Sequence, residues 1–566
     1  MNWTFRQAMT WMHTWLGLVL GFVLMVVFFF GSLSVFDREI DRWSIPQTRF
    51  EPQPMPSFDQ VLRPLMAQIE PSAVEYAAKM PLLHDANKGP MTPRAALPID
   101  EFWAYTTHRD PVLLVGADFS VPLPRDPAAH NHIHARATID PRTGAFLNDD
   151  QLKVGSAFFY PLHYSLHLKW KNAGYFIVGL AAFIMLAALV SGVIIHRRLF
   201  REFFTFRPRK HLQRSTLDLH NLTGVLALPF HFFFAFTGLV IFAASIYLPL
   251  GHTVLKPLHD RHAAQESART GLPQTRAGVN APVASVDAMV ADARRRWSDR
   301  GMPGQVGFLK IHHLGDTNSY VSIYRAGSDR VALVGEGIHF QASTGRVLHE
   351  DPPREPASAV HQFLTGLHLQ HFEHWLLRWL YVAGGLLGCV CIATGFVFFV
   401  EKRKQQHARQ GSAQARVVDA LGVATVTGML LATTAMLLVN RLLPADLNGA
   451  ANWQIGAFWG VWLISALHAA GRNGPVALGQ RSPAWAEQCQ ALAVVAVAAV
   501  LANGWSTGAH LWVTVPAGNW PVAGVDLSLL TTATIAWAAH HKLKRQPGMV
   551  TAHTQRTSVP TEATHA

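Results

Sequence analysis

Histidine gives this chain its clearest chemical potential, because several of its thirty histidines stand at the margins of long apolar runs. His13-Thr14-Trp15-Leu16-Gly17 opens one run, and His220-Asn221-Leu222-Thr223-Gly224 opens another 207 positions later. Each run reaches a second glycine at the same offset, Gly31 and Gly238. Two imidazoles at matching depth on twinned helices are what a helical bundle needs to grip a haem iron from both faces.

Ionisable groups at membrane depth are costly and usually face a bundle interior or a cofactor. His13, His196 and His220 form one layer. His163 and His167, with His361, His368, His371 and His374, form a second. His231 stands between them, eleven residues past His220; on a straight helix that is about 16 Å and close to three turns, so both share a face. The repeat makes His13 with His220, and His167 with His368, equivalent pairs. A single histidine at a membrane interface is more often a snorkelling or hydrogen-bonding residue, and it is the duplication that argues for more. Imidazoles without nearby carboxylates or thiolates, set among Trp11, Trp15, Phe28, Phe232 and Phe234, suit haem better than a hard cation. Zinc is the alternative for the outer cluster. His130, His132 and His134 alternate on one strand and could bind metal as a separate site, although an exposed polar strand face explains them equally well. No C-x-x-C-H is present, so haem would be the non-covalent b type. Cys389, Cys391 and Cys489 imply neither a disulfide framework nor a thiolate metal site.

The elements that must position these groups are apolar blocks. Half the chain is hydrophobic and only 15% is charged. Runs long enough to cross about 30 Å of hydrocarbon occur near 10–35, 174–195, 219–248, 375–400, 417–440, 453–470, 486–503 and 523–540. The expected fold is mainly α: a polytopic membrane protein with about eight transmembrane helices. The first run follows only Arg6 and lacks a small-residue cleavage site before Asp37, so it reads as an anchor. Lysine and arginine cluster after every even-numbered run, at Arg197, Arg198, Arg201, Arg207, Arg209, Lys210 and Arg214, at Lys402, Arg403, Lys404 and Arg409, at Arg472 and Arg481, and at Lys542, Lys544 and Arg545. By the retention of basic loops, both termini are expected in the cytoplasm, with 37–170 and 249–373 facing outward. These flanks and anionic lipid account for much of the basic excess behind the net charge of +12, and no nucleic-acid partner is expected.

The repeat extends outside the helices. Ile139-Asp140-Pro141-Arg142-Thr143-Gly144-Ala145-Phe146-Leu147 is echoed by Phe340-Gln341-Ala342-Ser343-Thr344-Gly345-Arg346-Val347-Leu348, each a strand, a Thr-Gly turn and a returning strand. Helical patterns capped by Ser57 and Ser285 precede them. Each outer segment therefore reads as a small α+β domain. Leu166-His167-Leu168 is matched by Leu367-His368-Leu369, and Ser191-Gly192-Val193 by Thr394-Gly395-Phe396. The expected organisation is helix 1 (1–36), outer domain 1 (37–170), helices 2 and 3 with their basic loop (171–248), outer domain 2 (249–373) and helix 4 (374–400). Two such helix–domain–helix units should pack about a pseudo-two-fold axis. A four-helix membrane module (401–545) and a disordered cytoplasmic tail (546–566) follow.

The ordered blocks Leu166-His167-Leu168, Ser191 to Arg198, Phe203 to Pro208, Leu217 to Asn221 and Leu228 to His231 resemble the PepSY-associated transmembrane family, and the Thr-Gly hairpins resemble its PepSY domains. The likeness covers about residues 1–405. That family includes iron-regulated inner-membrane proteins of Gram-negative bacteria and siderophore reductases with two b-type haems. The resemblance implies a bacterial inner-membrane oxidoreductase that passes electrons to a periplasmic ferric siderophore or other ferric chelate. It places haem ligation on His13, His196, His220 and His231 inside and on His163, His167 and His368 outside, with the pairing open. No G-x-G-x-x-G opens a helix after a strand, so quinol or a cytoplasmic reductase is the expected donor. Two other classes stand beside this one: a non-catalytic scaffold for a peptidase or metal-uptake partner, and a transporter. The transporter is disfavoured by the lack of any evident broken helix or intramembrane carboxylate.

Overall fold

The computed structural model describes residues 4–73, 75, 97–106, 109–120, 132–147, 152–196, 206–208, 211–247, 261, 265, 268–333, 335–352, 355–410, 413–444, 447–473 and 482–545. His130, Arg197, Arg198, Arg201, Arg209, Lys210, Arg481 and the tail from 546 lie outside them.

Helix α1 (Phe5–Ser34) starts at a capping box in which Thr4 and Gln7 satisfy each other's backbone N–H groups. It leads into the short helix α2 (Asp37–Ser44), and a further helical turn α3 (Arg63–Met66) follows. After strands β1 (Ile99–Tyr105), β2 (Leu113–Ser120), β3 (His132–Ile139) and β4 (Phe146–Leu147), the chain dips back through α4 (Tyr160–Ser165) and enters α5 (Ala173–Ile195). The second unit comprises α6 (Leu212–Leu226), α7 (Leu228–Phe242), α8 (Val286–Asp299), β5 (Val306–His312), β6 (Tyr320–Arg325), β7 (Gly337–Gln341), β8 (Val347–Glu350), α9 (Pro356–Leu369) and α10 (Trp375–Arg409).

The outer segments do not form two separate sheets. They share one antiparallel sheet in the order β4-β3-β2-β1-β5-β6-β7-β8. At the seam Phe102 faces Ile311, Trp103 faces Lys310 and Ala104 faces Leu309. Strands β1 and β5 begin and end 207 positions apart, so Trp103 and Lys310 hold equivalent places in them, and the pseudo-two-fold axis passes through that pair. Pairing the two edges removes the unpaired N–H and C=O rows that each four-stranded half would expose. The helices obey the same axis. Ser57 and the Phe58 amide bond to Asp287, and Ser285 and the Asp287 amide bond to Asp59, so each carboxylate caps its twin's helix. Burial opposes ionisation of Asp59, but hydrogen bonds from Arg63 and Ser285 hold its carboxyl down at about 2. Both Thr-Gly turns form as expected, with Gly144 and Gly345 at φ of 74° and 73°.

Among the described residues, six helices are long and apolar enough to cross a membrane. A seventh span arises if α6 and α7 count as one, but the two are bent by 62°. Pro229 stands at the start of α7, where its missing N–H and ring prevent a continuous helix. A broken helix is therefore present, against the expectation from sequence. The remaining expected span lies in α13 (Ala450–Asn473), which at about 36 Å is long enough but is not among the sufficiently apolar helices. The appended helices are α11 (Gln414–Val423) continuing as α12 (Met429–Leu442), then α13, α14 (Ala484–Thr507) and α15 (Trp520–Lys544). They also carry the carboxylate missed from sequence: Asp526 on α15 is buried, accepts from Trp43 Nε1 at 2.8 Å and from Asn503 Nδ2 at 3.1 Å, and fastens the module to α2. Arg49 adds a bond to Asn503 at 2.9 Å.

Candidate functional site

Four of the expected histidines meet in two pairs. His13 on α1 and His220 on α6 have ring centroids 6.2 Å apart with nearly perpendicular planes, and His163 on α4 and His368 on α9 are 5.9 Å apart. Imidazoles that share one metal through bonds of about 2 Å each put their centroids roughly 6 Å apart.

Each of the four rings is anchored through Nδ1. His13 Nδ1 lies 3.0 Å from the Ala188 carbonyl and 3.2 Å from Ser191 Oγ, whose own proton goes to Ala188. His220 Nδ1 donates to the Cys391 carbonyl at 2.7 Å, and His163 Nδ1 to the Val27 carbonyl at 2.8 Å. His368 Nδ1 meets Thr237 Oγ1 at 2.9 Å; the threonine proton is committed to Phe233, so the imidazole must donate. With Nδ1–H fixed, Nε2 carries the lone pair, as metal-ligating histidines require.

A glycine backs each ring. Gly31 faces His163 and Gly238 faces His368, while Gly192 faces His13 and Gly395 faces His220. A Cβ on Gly31 would lie 2.7 Å from His163 Nδ1, and one on Gly238 would lie 3.1 Å from His368 Cε1. The glycines at matched offsets are thus the clearance that lets an imidazole lie against a neighbouring helix.

The outer pair is not the one the sequence echo suggests. In the second unit His368 belongs to the last turn of α9, which ends at left-handed Gln370. In the first, α4 stops one turn sooner: Leu166 and His167 take φ of 52° and 54°, and His163 occupies the last turn instead. His167 turns away, stacking on Phe158 with Nε2 bonded to the Phe158 carbonyl at 2.9 Å. His196 ends α5 half-buried, and no ring contact joins it to the inner pair among the described residues. His231 is buried between the layers, edge-on to Phe28 at 5.4 Å. Its ring nitrogens close no hydrogen bond, although the Gly384 backbone comes near. The break at Pro229 sets aside the straight-helix argument, yet His220 and His231 both face α10, at Gly395 and Gly388.

His132 and His134 do alternate on β3, and His134 Nδ1 meets Asp118 at 2.6 Å. Among the described residues no three His, Cys, Asp or Glu side chains converge in a way that could hold a metal ion.

Above the outer pair a cavity of about 810 Å³ opens toward the underside of the sheet, reaching Tyr105 and Gly307 at the seam and Tyr324 on β6. His13 and Gly31, which faces His163, stand 18 residues apart on the unbroken α1, so the two pairs are separated by about 27 Å along that helix. This is well short of the roughly 43 Å implied by the distance from His167 to His196.

Two sequence-related membrane units that join through one sheet and bring paired histidines to two depths define a duplicated, polytopic membrane protein. Residues 10–402 match the family described as the PepSY-associated TM region, and the chain belongs to that family. It is 28% identical over 398 residues to an uncharacterised protein of Pseudomonas aeruginosa, a match covering 65% of this chain and 90% of the relative. Nearly all of the appended module, α11 to α15, lies beyond the family match.

Proposed function

We propose that the chain is an inner-membrane b-type haem protein that carries electrons across the bilayer to a periplasmic ferric chelate of siderophore type. The observation that carries this reading is the set of four Nδ1-anchored imidazoles whose Nε2 atoms are left for a ligand, in two pairs at 6.2 and 5.9 Å. His13 and His220 would hold one haem, and His163 and His368 the other. When bound, haem supplies a one-electron couple.

The chain's own residues do the rest. Ser191 and the Ala188, Cys391 and Val27 carbonyls, with Thr237, fix the tautomers. Phe28, Phe234 and Met185 supply apolar walls, and the glycines set ring position. The cavity above the outer pair admits substrate. One electron converts bound Fe(III) to Fe(II), which hard oxygen donors hold less well. The haem held by the inner pair would be the one to receive electrons, from quinol or a cytoplasmic reductase.

The test uses purified protein reduced with dithionite and freed of excess reductant. It should show b-type absorption bands and transfer one electron per haem to ferric tris-hydroxamate, read with an Fe(II)-specific chromophore. Absence of the bands from protein made in haem-supplied cells would leave a non-catalytic scaffold as the better reading.

A further inference from the structure

Six of the chain's nine tyrosines, Tyr105, Tyr160, Tyr164, Tyr175, Tyr324 and Tyr381, line the cavity above the outer histidine pair. They come from the sheet, from α4, from α5 and from α10, so no local repeat accounts for the gathering. Tyr160 and Tyr164 meet at 4.9 Å between ring centroids, and Tyr164 stacks on Tyr175 at 5.8 Å. Among the described residues, the hydroxyls of Tyr105, Tyr160, Tyr164, Tyr175 and Tyr381 have no hydrogen-bond partner, yet none is sealed from water-sized space. A phenol hydroxyl that opens onto a cavity and meets no protein acceptor can donate to a molecule held there. Five such donors around one cavity amount to a site for a ligand rich in acceptors.

The lining changes with height. Along α1 it runs from Leu24, Val27 and Phe28 to Gly31 and then, beyond the helix, to Asp37 and Arg38; along α5 it runs from Met185 out to Tyr175. The lower part is an apolar slot beside the histidines, and the upper part is polar and aromatic.

The charges nearby cancel. Arg38 pairs with Asp110 at 3.1 Å, Arg109 with Asp37 at 2.8 Å and Glu39 at 3.1 Å, and Arg378 with Glu39 at 2.7 Å. Arg325, which also lines the cavity, pairs with Asp329 at 3.3 Å, so four guanidinium groups meet four carboxylates, which leaves no surplus cation to offset a multiply charged anion brought out of water. Burial raises the phenols of Tyr105 and Tyr164 and pushes Tyr160 up to about 12, so they remain O–H donors rather than phenolate ligands.

We propose that the upper chamber is the docking site of the ferric chelate, and that it selects uncharged chelates with oxygen donors, of hydroxamate type, over triply anionic tris-catecholates. This rests on the reading of the outer pair as the point of electron exit. The phenol hydroxyls donate to the chelate oxygens while the rings pack on its organic frame.

The experiment uses gallium(III), which matches iron(III) in size and ligand preference but is not reduced. Binding of neutral gallium tris(acetohydroxamate) and of the gallium tris-catecholate trianion to the full-length protein in lipid nanodiscs is measured by calorimetry. The neutral complex should bind the more tightly. Combining Tyr105→Phe, Tyr160→Phe and Tyr164→Phe keeps the rings and removes three donors. At about fivefold per lost hydrogen bond, affinity should fall on the order of a hundredfold with the thermal midpoint kept. Tighter binding of the trianion, or a triple variant within twofold of the parent, would overturn the proposal. Because gallium accepts no electron, failure here leaves the redox reading standing. Failure of iron reduction with intact gallium binding sinks that reading alone.

Discussion

Replacing Gly31 with alanine tests whether the outer histidine is held as tightly as the packing implies. The new Cβ would lie 2.7 Å from His163 Nδ1 and 2.8 Å from Cε1. Ordinary contact begins near 3.4 Å, so the ring must retreat by about 0.7 Å. Its anchoring bond to Val27, now 2.8 Å, would stretch to about 3.5 Å, where it ceases to be one. Losing that bond costs about 1 kcal/mol, and forcing a methyl into the packed site adds roughly 1–3 kcal/mol. Together these weaken the outer site by about 2–4 kcal/mol, or roughly thirtyfold to a thousandfold in ligand affinity. The twin substitution is milder. A Cβ at Gly238 stands 3.1 Å from His368, a shortfall of about 0.3 Å, while Gly192 and Gly395 leave 3.3 and 3.4 Å. The assay is haem titration of the four alanine variants, followed by optical and low-spin EPR spectra. Gly31→Ala should lose the outer haem, Gly238→Ala should weaken it by less than about 1 kcal/mol, and the other two should resemble the parent. Equal losses in all four, or none, would refute the role given to these glycines.

Glu101 joins the two halves of the sheet, bonding Lys310 at 2.7 Å and His312 at 3.0 Å. Burial opposes its ionisation, yet His312 and Lys310 hold its carboxyl down at about 2. A depressed carboxyl stabilises the fold above its unfolded value of about 4.3 and loses that contribution as pH falls through the folded value. The stability difference between parent and Glu101→Gln, followed by hydrogen exchange of the β1 and β5 amides, should be constant near neutrality and vanish between about pH 4.5 and 2; a difference independent of pH would count against it. Asp526→Ala should leave Trp43 Nε1 and the Asn503 amide without their acceptor and cost about 3 kcal/mol, read as faster hydrogen exchange in α2; unchanged exchange would show that the module docks by other contacts.

The repeat was legible because it is written in residue types at fixed offsets: the His13 and His220 runs, the Thr-Gly turns, and the glycine pairs. Joining of the two sheets was not, since β1 and β5 carry the same alternation whether their edges pair or stay open. The slip from His167 to His163 was hidden for a local reason. Leu-His-Leu appears in both units, but only Leu367-His368-Leu369 remains helical, whereas left-handed geometry at Leu166 and His167 moves the first copy by one turn. Pro229 was visible as a helix breaker, yet the apolar run continues past it without interruption. The tyrosine chamber left no signal, because its members are spread over 276 positions from Tyr105 to Tyr381 and only the fold collects them.

Haem stoichiometry by pyridine haemochrome on the purified full-length protein and its single-histidine variants is the most direct test. The parent should carry two haems. His13→Ala and His220→Ala should each lose one, His163→Ala and His368→Ala should each lose the other, and His167→Ala and His196→Ala should keep both. Retention of both haems by His163→Ala with loss of one by His167→Ala would contradict the assignment, and a parent without haem would remove its basis.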